Sequence, residues 1–341
     1  MMSFIQALFD ETVPLPTELE EYVQVLKDIE YFGIGPQIYT LLKQRNRFEK
    51  TPPSFQERLK ALYKESLPRN LFIKFETERL LNRFEAEGIP VIPLKGTIFA
   101  QTYFDDFAAR QTTDIDLLIH PRDISRAVAC VQSLGFVLQG EPIPEHFHIS
   151  FAKALPNSSL PLPVELHWSI LTDNTSSLNP QDLWRDAVPY ASYKYVMMLS
   201  ELKTFYMISL HGWKHALDSL KYFIDIIQLI HVIGDLLDLN KLFEMTKEHK
   251  TTKRMRSTLS IVYYHFPHLQ TIKPFLERKK RRLWWDYDSI RYKDKNRNPL
   301  KYIRFIQYQW LDFDTPLQCI IATSQYIKSL QRGHSSENIQ I

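Results

Sequence analysis

Cysteine is nearly missing from this chain: Cys130 and Cys319 are the only two among 341 residues. They lie far apart and lack metal-ligand spacing, so neither a disulfide framework nor a zinc site is indicated, and a reducing cytoplasm is the simplest expectation. An excess of one charge is missing too. The 42 Lys and Arg against 39 Asp and Glu leave a formal net charge of +3. That balance argues against nucleic acid wrapped along the whole length and confines any basic surface to a local patch. No apolar run is long enough to span a bilayer. The most apolar stretch, "YFIDIIQLIHVIGDLLDL" (222–239), is interrupted by Asp225, His231, Asp235 and Asp238, whereas a spanning helix needs about 20 mostly apolar residues. It reads as a core helix, and no membrane partner is expected. The opening "MMSFIQALFDETVPLP" has no basic n-region and meets Asp10 and Glu11 early, which predicts a short amphipathic helix rather than an export signal. There is no internal repeat and no low-complexity segment.

What remains is ordinary globular composition, 44% hydrophobic and 24% charged, in a chain long enough for about two domains. Residues 1–87 read as an N-terminal helical region, with "TELEEYVQVLKDIEYFG", "SFQERLKALYKES" (54–66) and "NLFIKFETERLLNRFEAEG" (70–88) as separate helices. In the last of these Phe72, Phe75, Leu80, Leu81 and Phe84 share one broad face, ended by Gly88 and Pro90. The period then changes. "IPVIPL" (89–94) and "DIDLLI" (114–119) read as strands around a helix opened by Gly96, and "PRDISRAVACVQSLG" is a helix with Pro121 in its first turn and Gly135 beyond its end. "FVLQG" (136–140), "HFHISFA" (146–152) and "LPVELHWSI" (162–170) follow as short strands, mostly antiparallel candidates. Helices return from about 180, among them "ELKTFYMISLHGWKHAL" (201–217), "SLKYFIDIIQLIHVIGDLL" (219–237) and "PLKYIRFIQYQWL" (299–311), before a polar tail, 331–341. The fold class expected is α+β: a mixed-sheet core over 88–175, flanked by the N-terminal helices and a C-terminal helical domain over 176–341.

"RQTTDIDLLIHP" (110–121) places two aspartates inside an otherwise apolar strand. Strand alternation points Asp114 and Asp116 one way and Ile115, Leu117 and Ile119 the other. Two like charges side by side call for a cation between them. In "LPVELHWSI" the same alternation sets Glu165 and His167 against Val164, Leu166 and Trp168. Three carboxylates from two strands suit magnesium, which prefers oxygen ligands and shares its remaining positions with water and substrate phosphates. Upstream, Gly96 and Thr97 stand where a strand gives way to a helix. Their backbone N–H groups can point at a phosphate, with Lys95 and the helix dipole adding positive charge.

"LKGTIFAQTYFDDFAARQTTDIDLLI" followed by "VELHW" resembles the nucleotidyltransferase superfamily of polymerase beta and the kanamycin nucleotidyltransferases. More narrowly it is similar to a poorly characterised bacterial family with Leu-Lys-Gly, an Arg four residues before Asp-Ile-Asp, and a Glu-x-His-Trp strand. "LHGWKHALDSLKYFIDI" (210–226) resembles that family's helical segment. The resemblance covers roughly 70–240. It implies a nucleotidyltransferase-type sheet, and two magnesium ions held by Asp114, Asp116 and Glu165, with manganese as a substitute. It further implies transfer of a nucleoside monophosphate from an NTP, ATP first in line, to a hydroxyl, with release of pyrophosphate. Where the general pattern has Gly-Ser or Gly-Gly, this chain has Gly96-Thr97, whose hydroxyl can still bond a phosphate. Arg110 is read as a phosphate or carboxylate contact, or else a surface partner of Asp106. His167 is either a partner of Glu165 or a histidine satisfied in the core. By analogy with helical domains that close over the nucleotide, Lys214 is a further phosphate contact.

Other patterns read more plainly. His211 and His215 share a helical face at metal-binding spacing, though packing against neighbours is the simpler reading. The run 277–297 interleaves basic residues with Trp284, Trp285, Tyr287 and Tyr292, and could hold single-stranded nucleic acid. A solvated connection with aromatics anchored in the core is preferred, and RNA is the less favoured acceptor beside a small molecule, peptide or protein. A glycoside hydrolase built on Asp116 and Glu165 leaves the Lys-Gly helix start unexplained. The alternative to an enzyme is a non-catalytic nucleotide-binding or interaction protein on the same fold.

Overall fold

The N-terminal amphipathic pattern becomes four helices, α1 (Met2–Phe9), α2 (Leu19–Phe32), α3 (Gly35–Gln44) and α4 (Pro53–Ala86). This is seen in a computed structural model that describes residues 1–140, 147–155, 160–276, 285–292 and 310–331. α3 opens on Gly35-Pro36, where proline is favoured in a helix's first turn, and Ile38, Leu41 and Leu42 are fully buried. α4 is one 34-residue helix with Pro68 inside it, not two. An interior proline forfeits one backbone hydrogen bond, at about 3 kcal/mol. Phe55 and Leu59 before it, with Ile73, Leu80, Leu81 and Phe84 after it, are all buried, and each contributes about 1.5–3 kcal/mol by leaving water. Phe75 is not on that stripe. It is 54% exposed, with the Arg79 guanidinium 5.7 Å from its ring centre, while Ile73 and Thr77 take the inward positions.

Five strands pair in the order β1 (Val91–Pro93), β2 (Ile115–Ile119), β5 (Leu162–His167), β4 (His148–Lys153), β3 (Val137–Leu138). β2 and β5 run parallel, and the other three pairings are antiparallel. The fold is therefore α+β with a mixed sheet, as the sequence predicts. Some strands are shorter than expected: β5 ends at His167 rather than at 170, and β3 is a two-residue exposed edge. His146, at the head of the expected 146–152 strand, lies outside the described residues. One sheet face carries Ile115, Leu117, Ile119, Phe151, Val164 and Leu166 into a core shared with Ile73, Leu80, Leu81 and Phe84 of α4 and with Ala127, Cys130 and Val131 of α6 (Ile124–Ser133). Glu76 of α4 is buried and accepts from Lys153 of β4 at 3.0 Å and from Arg79 at 2.9 Å, an ion pair that pins the helix to the sheet.

By its contacts the chain forms two compact units, residues 1–170 with 180–200, and 171–179 with 201–341. The first takes in both the N-terminal helices and the sheet. In the second, α8 (Glu201–Lys214) packs on α9 (Leu220–Ile233) and α11 (Thr252–His265) around Phe205, Tyr206, Phe223, Ile227 and Leu259. Ser219 caps α9, and Asp238 caps α10 (Leu239–Glu248). α8 stops at Lys214 rather than 217, because Ala216 and Leu217 take left-handed backbone angles. Of the run 277–297 only 285–292 is described. There Trp285 is buried and donates to the Leu217 carbonyl at 2.9 Å, the anchoring role expected of it. Trp284, most of the helix expected over 299–311 and nearly all of the tail lie outside the described residues. No helix among the described residues is long and apolar enough to cross a membrane.

The loop ahead of β2 hangs on one side chain. Asn70 of α4, fully buried, donates to the carbonyls of Ala108 (3.3 Å) and Arg110 (3.2 Å) and accepts from the Thr112 N–H at 3.3 Å. Asn70→Ala leaves these backbone groups unsatisfied in the interior. It is expected to cost about 1–3 kcal/mol of stability, measured by urea unfolding. An unchanged midpoint would mean that the loop keeps its path without the amide.

Candidate functional site

β2 is buried along its whole length, and the polar side chains it carries are therefore held by neighbours rather than by water. Asp114 immediately precedes the strand and Asp116 lies within it. The Lys95 ammonium stands against both, 3.1 Å from Asp114 Oδ2 and 2.8 Å from Asp116 Oδ2. The two carboxylates thus face the same way, and a cation does lie between them. The Lys95–Asp116 contact is an ion pair outside hydrogen-bond geometry, and Asp116 Oδ2 is buried with no hydrogen-bond partner.

The parallel register sets Asp116 beside Glu165 and Leu118 beside His167. His167 Nε2 lies 3.1 Å from Asp116 Oδ1 and 3.1 Å from Glu165 Oε2, so both readings of this histidine meet: it is buried and it partners Glu165. Burial pushes the Glu165 carboxyl up, but the His167 hydrogen bond and the positive charge of His167, His148 and Lys95 outweigh it and hold the group well below the ordinary carboxylate range. His148 was not foreseen as a site residue. It sits opposite His167 in the β4–β5 pairing, with ring centres 5.0 Å apart, and its Nε2 is 4.0 Å from Glu165 Oε2. Alternation in "HFHISFA" gives a strand, but which strand lies next to it is not a local property.

Gly96 caps α5 (Thr97–Phe104) with φ 87° and ψ −145°, a backbone conformation close to glycine-only territory. Thr97 is 3% exposed and its hydroxyl has no hydrogen-bond partner. A buried, unsatisfied hydroxyl at the N-terminal residue of a helix is a donor group suited to an anion. Arg110 is buried, with its guanidinium 5.8 Å from the Phe99 ring centre of α5. Asp106, its expected surface alternative, is engaged by Thr40, Tyr63 and the Ala108 N–H. Lys214 belongs to the second unit, where it lines a small cavity with Thr172, Trp213 and Arg254. His211 and His215 pack their rings on Tyr222, at 5.4 and 5.1 Å.

A family model described as an uncharacterised nucleotidyltransferase matches residues 22–267. The chain belongs to that nucleotidyltransferase family. No curated protein and no solved structure matches it significantly. The matched span of the nucleotidyltransferase includes Lys95, Gly96, Asp114, Asp116, His148, Glu165 and His167.

At Gly96 an added Cβ would meet Thr112 Cγ2 at 3.5 Å and the Asp114 carbonyl at 3.9 Å, ordinary contacts. The obstacle to a side chain is the backbone angle, not space. Gly96→Ala should therefore cost about 1–3 kcal/mol through strain, read as a lower denaturant midpoint at an unchanged m-value. A midpoint equal to that of the natural chain would show that the turn before α5 relaxes freely.

Proposed function

We propose that this nucleotidyltransferase is a divalent-metal enzyme that moves a nucleoside monophosphate from an NTP to an acceptor hydroxyl and releases pyrophosphate. What carries the reading is the side-by-side placement of Asp114, Asp116 and Glu165 on one sheet face. Lys95 stands between the aspartates, and the Gly96–Thr97 helix start follows it directly in the chain. The donor set fits magnesium: carboxylate oxygens, one of them buried without a hydrogen bond. Two bound ions supply charge neutralisation at the leaving pyrophosphate and activation of the attacking hydroxyl.

The chain's own residues divide the rest of the work. Asp114 and Asp116 hold the ion that travels with the triphosphate. Gly96 and Thr97 offer N–H and hydroxyl donors to phosphate oxygens, and Lys95 adds positive charge there. Arg110 steadies this end of the site. Glu165, held ionised by His167 and its neighbours, would be the charged ligand beside the acceptor hydroxyl that attacks the α-phosphorus in line, with the hydroxyl's proton relayed through it to water. ATP is the first nucleotide to test, and a small molecule, peptide or protein is favoured over RNA as acceptor. The two free, buried cysteines suit a cytoplasmic setting.

Binding and turnover separate on this reading. Thermal shift with ATP, GTP, CTP and UTP should show stabilisation that requires magnesium, and Asp116→Asn should lose that magnesium-dependent stabilisation while the fold survives. Glu165→Gln should keep most nucleotide affinity yet lose transfer by on the order of 10² or more, read as pyrophosphate release with an acceptor-containing lysate. A magnesium response that persists in Asp116→Asn would sink the two-aspartate site. Magnesium-dependent binding with no pyrophosphate released from any acceptor mixture would instead favour a nucleotide-binding protein without catalysis.

A further inference from the structure

The sheet face that carries the aspartates continues past them into a different kind of donor set. Among the described residues, His148, Glu165 and His167 form a group of three ligand atoms lying within 4.8 Å of one another. Two of the three are imidazole nitrogens. β5 supplies Glu165 and His167, and β4 supplies His148 directly across from His167. All three lie on strands, so the sheet's own hydrogen bonds fix their spacing. Side-chain exposures of 18% for His148, 28% for Glu165 and 9% for His167 leave an approach from solvent while anchoring the deepest ligand.

The distances can be compared with what an ion requires. Ligand atoms about 2.1 Å from a metal are about 3.0 Å apart at a right angle and about 4.2 Å apart across it. Here Nε2 of His167 is 3.1 Å from Oε2 of Glu165, an adjacent pair, and Nε2 of His148 is 4.0 Å from that same oxygen, close to an opposed pair. His167 Nε2 is also 3.1 Å from Asp116 Oδ1, whereas Asp116 Oδ2 is the oxygen that Lys95 approaches. The two oxygens of Asp116 therefore divide the face, one toward Lys95 and Asp114 and one toward the histidines. In the metal-free chain a proton on Nε2 can serve Glu165 and Asp116 together, and a cation placed there would do the same.

We propose that His148, Glu165 and His167, with Asp116 at their border, form a second ion site selective for a borderline transition-metal dication of the zinc, cobalt or nickel class over magnesium. The chemistry is that of the donors: imidazole suits such ions, while magnesium seeks oxygen and keeps its water. The inference deepens the metal assignment of the proposed transferase site. It makes the ion beside Glu165 chemically distinct from the one at Asp114 and Asp116.

The test uses the full chain, stripped of metal and without nucleotide, titrated with Co2+ and followed by visible d–d absorption. One equivalent should bind, be displaced by Zn2+, and resist a large excess of Mg2+. His148→Gln and, separately, His167→Gln should each weaken Co2+ binding by on the order of 10-fold to 100-fold, with circular dichroism and melting temperature monitoring the fold. His148→Gln should leave the stabilisation by magnesium and ATP within about threefold, because Asp114 and Asp116 are intact. Absence of Co2+ binding, or binding that survives both histidine variants, overturns the nitrogen-rich site. Those outcomes leave the transferase reading standing on its own nucleotide-binding test, just as Co2+ binding without any response to NTP would overturn the transferase reading alone.

Discussion

The pairing of β2 with β5 in the register Asp116↔Glu165 is the constraint on which the rest depends. It joins two segments about fifty residues apart and brings acidic side chains from both onto one face, with Ile115, Leu117, Val164 and Leu166 behind them in the core. A slip of one residue in either strand would pair an aspartate with an apolar side chain and send Glu165 toward the interior. The apolar pattern thus protects the polar one. The energy that fixes the register comes from the buried face, and the chemistry is carried by the other.

Charges placed in such a strand are costly unless other groups meet them. Asp116 is almost wholly buried, and it is met by the Lys95 ammonium on one oxygen and by His167 on the other. The backbone that delivers Asp114 and Asp116 is met in turn by Asn70, reaching in from α4. A long N-terminal helix is therefore part of the site's support although none of its side chains has been given a chemical role.

Much of this was legible before any coordinates, and what was legible was periodic. Alternation in Asp-Ile-Asp and in Val-Glu-Leu-His separates the core face from the carboxylate face because a strand's side-chain directions are a local property. Gly96 at the head of α5 was legible for the same reason, since a glycine between a strand and a helix marks a special backbone angle. His148 was not, because its significance lies in a partner on another strand. The separation of 54–66 from 70–88 did not hold for the opposite reason: burial on both sides of Pro68 carries one helix through it. Phe75 shows the limit of counting apolar residues, as one shifted position on a helix turns a ring to solvent. Arg110, read as a phosphate or carboxylate contact or as a surface partner of Asp106, is buried with its guanidinium near the Phe99 ring, a packing fact with no local signature.

The division of the chain into units that are not contiguous in sequence bears on how the protein is made. Residues 171–179 belong with the second unit, and 180–200 return to the first, where Val91 takes the Tyr195 carbonyl at 3.0 Å and bridges Val196 along the β1 edge. A ribosome that has released only 170 residues has therefore released an unfinished sheet, its first strand open on one side. The sheet edge closes only after residue 196 has emerged, so folding of the first unit is tied to synthesis of a segment that lies beyond a piece of the second. A truncation after residue 170 would carry an open strand edge of the same kind, whereas one after residue 200 keeps the residues that close it.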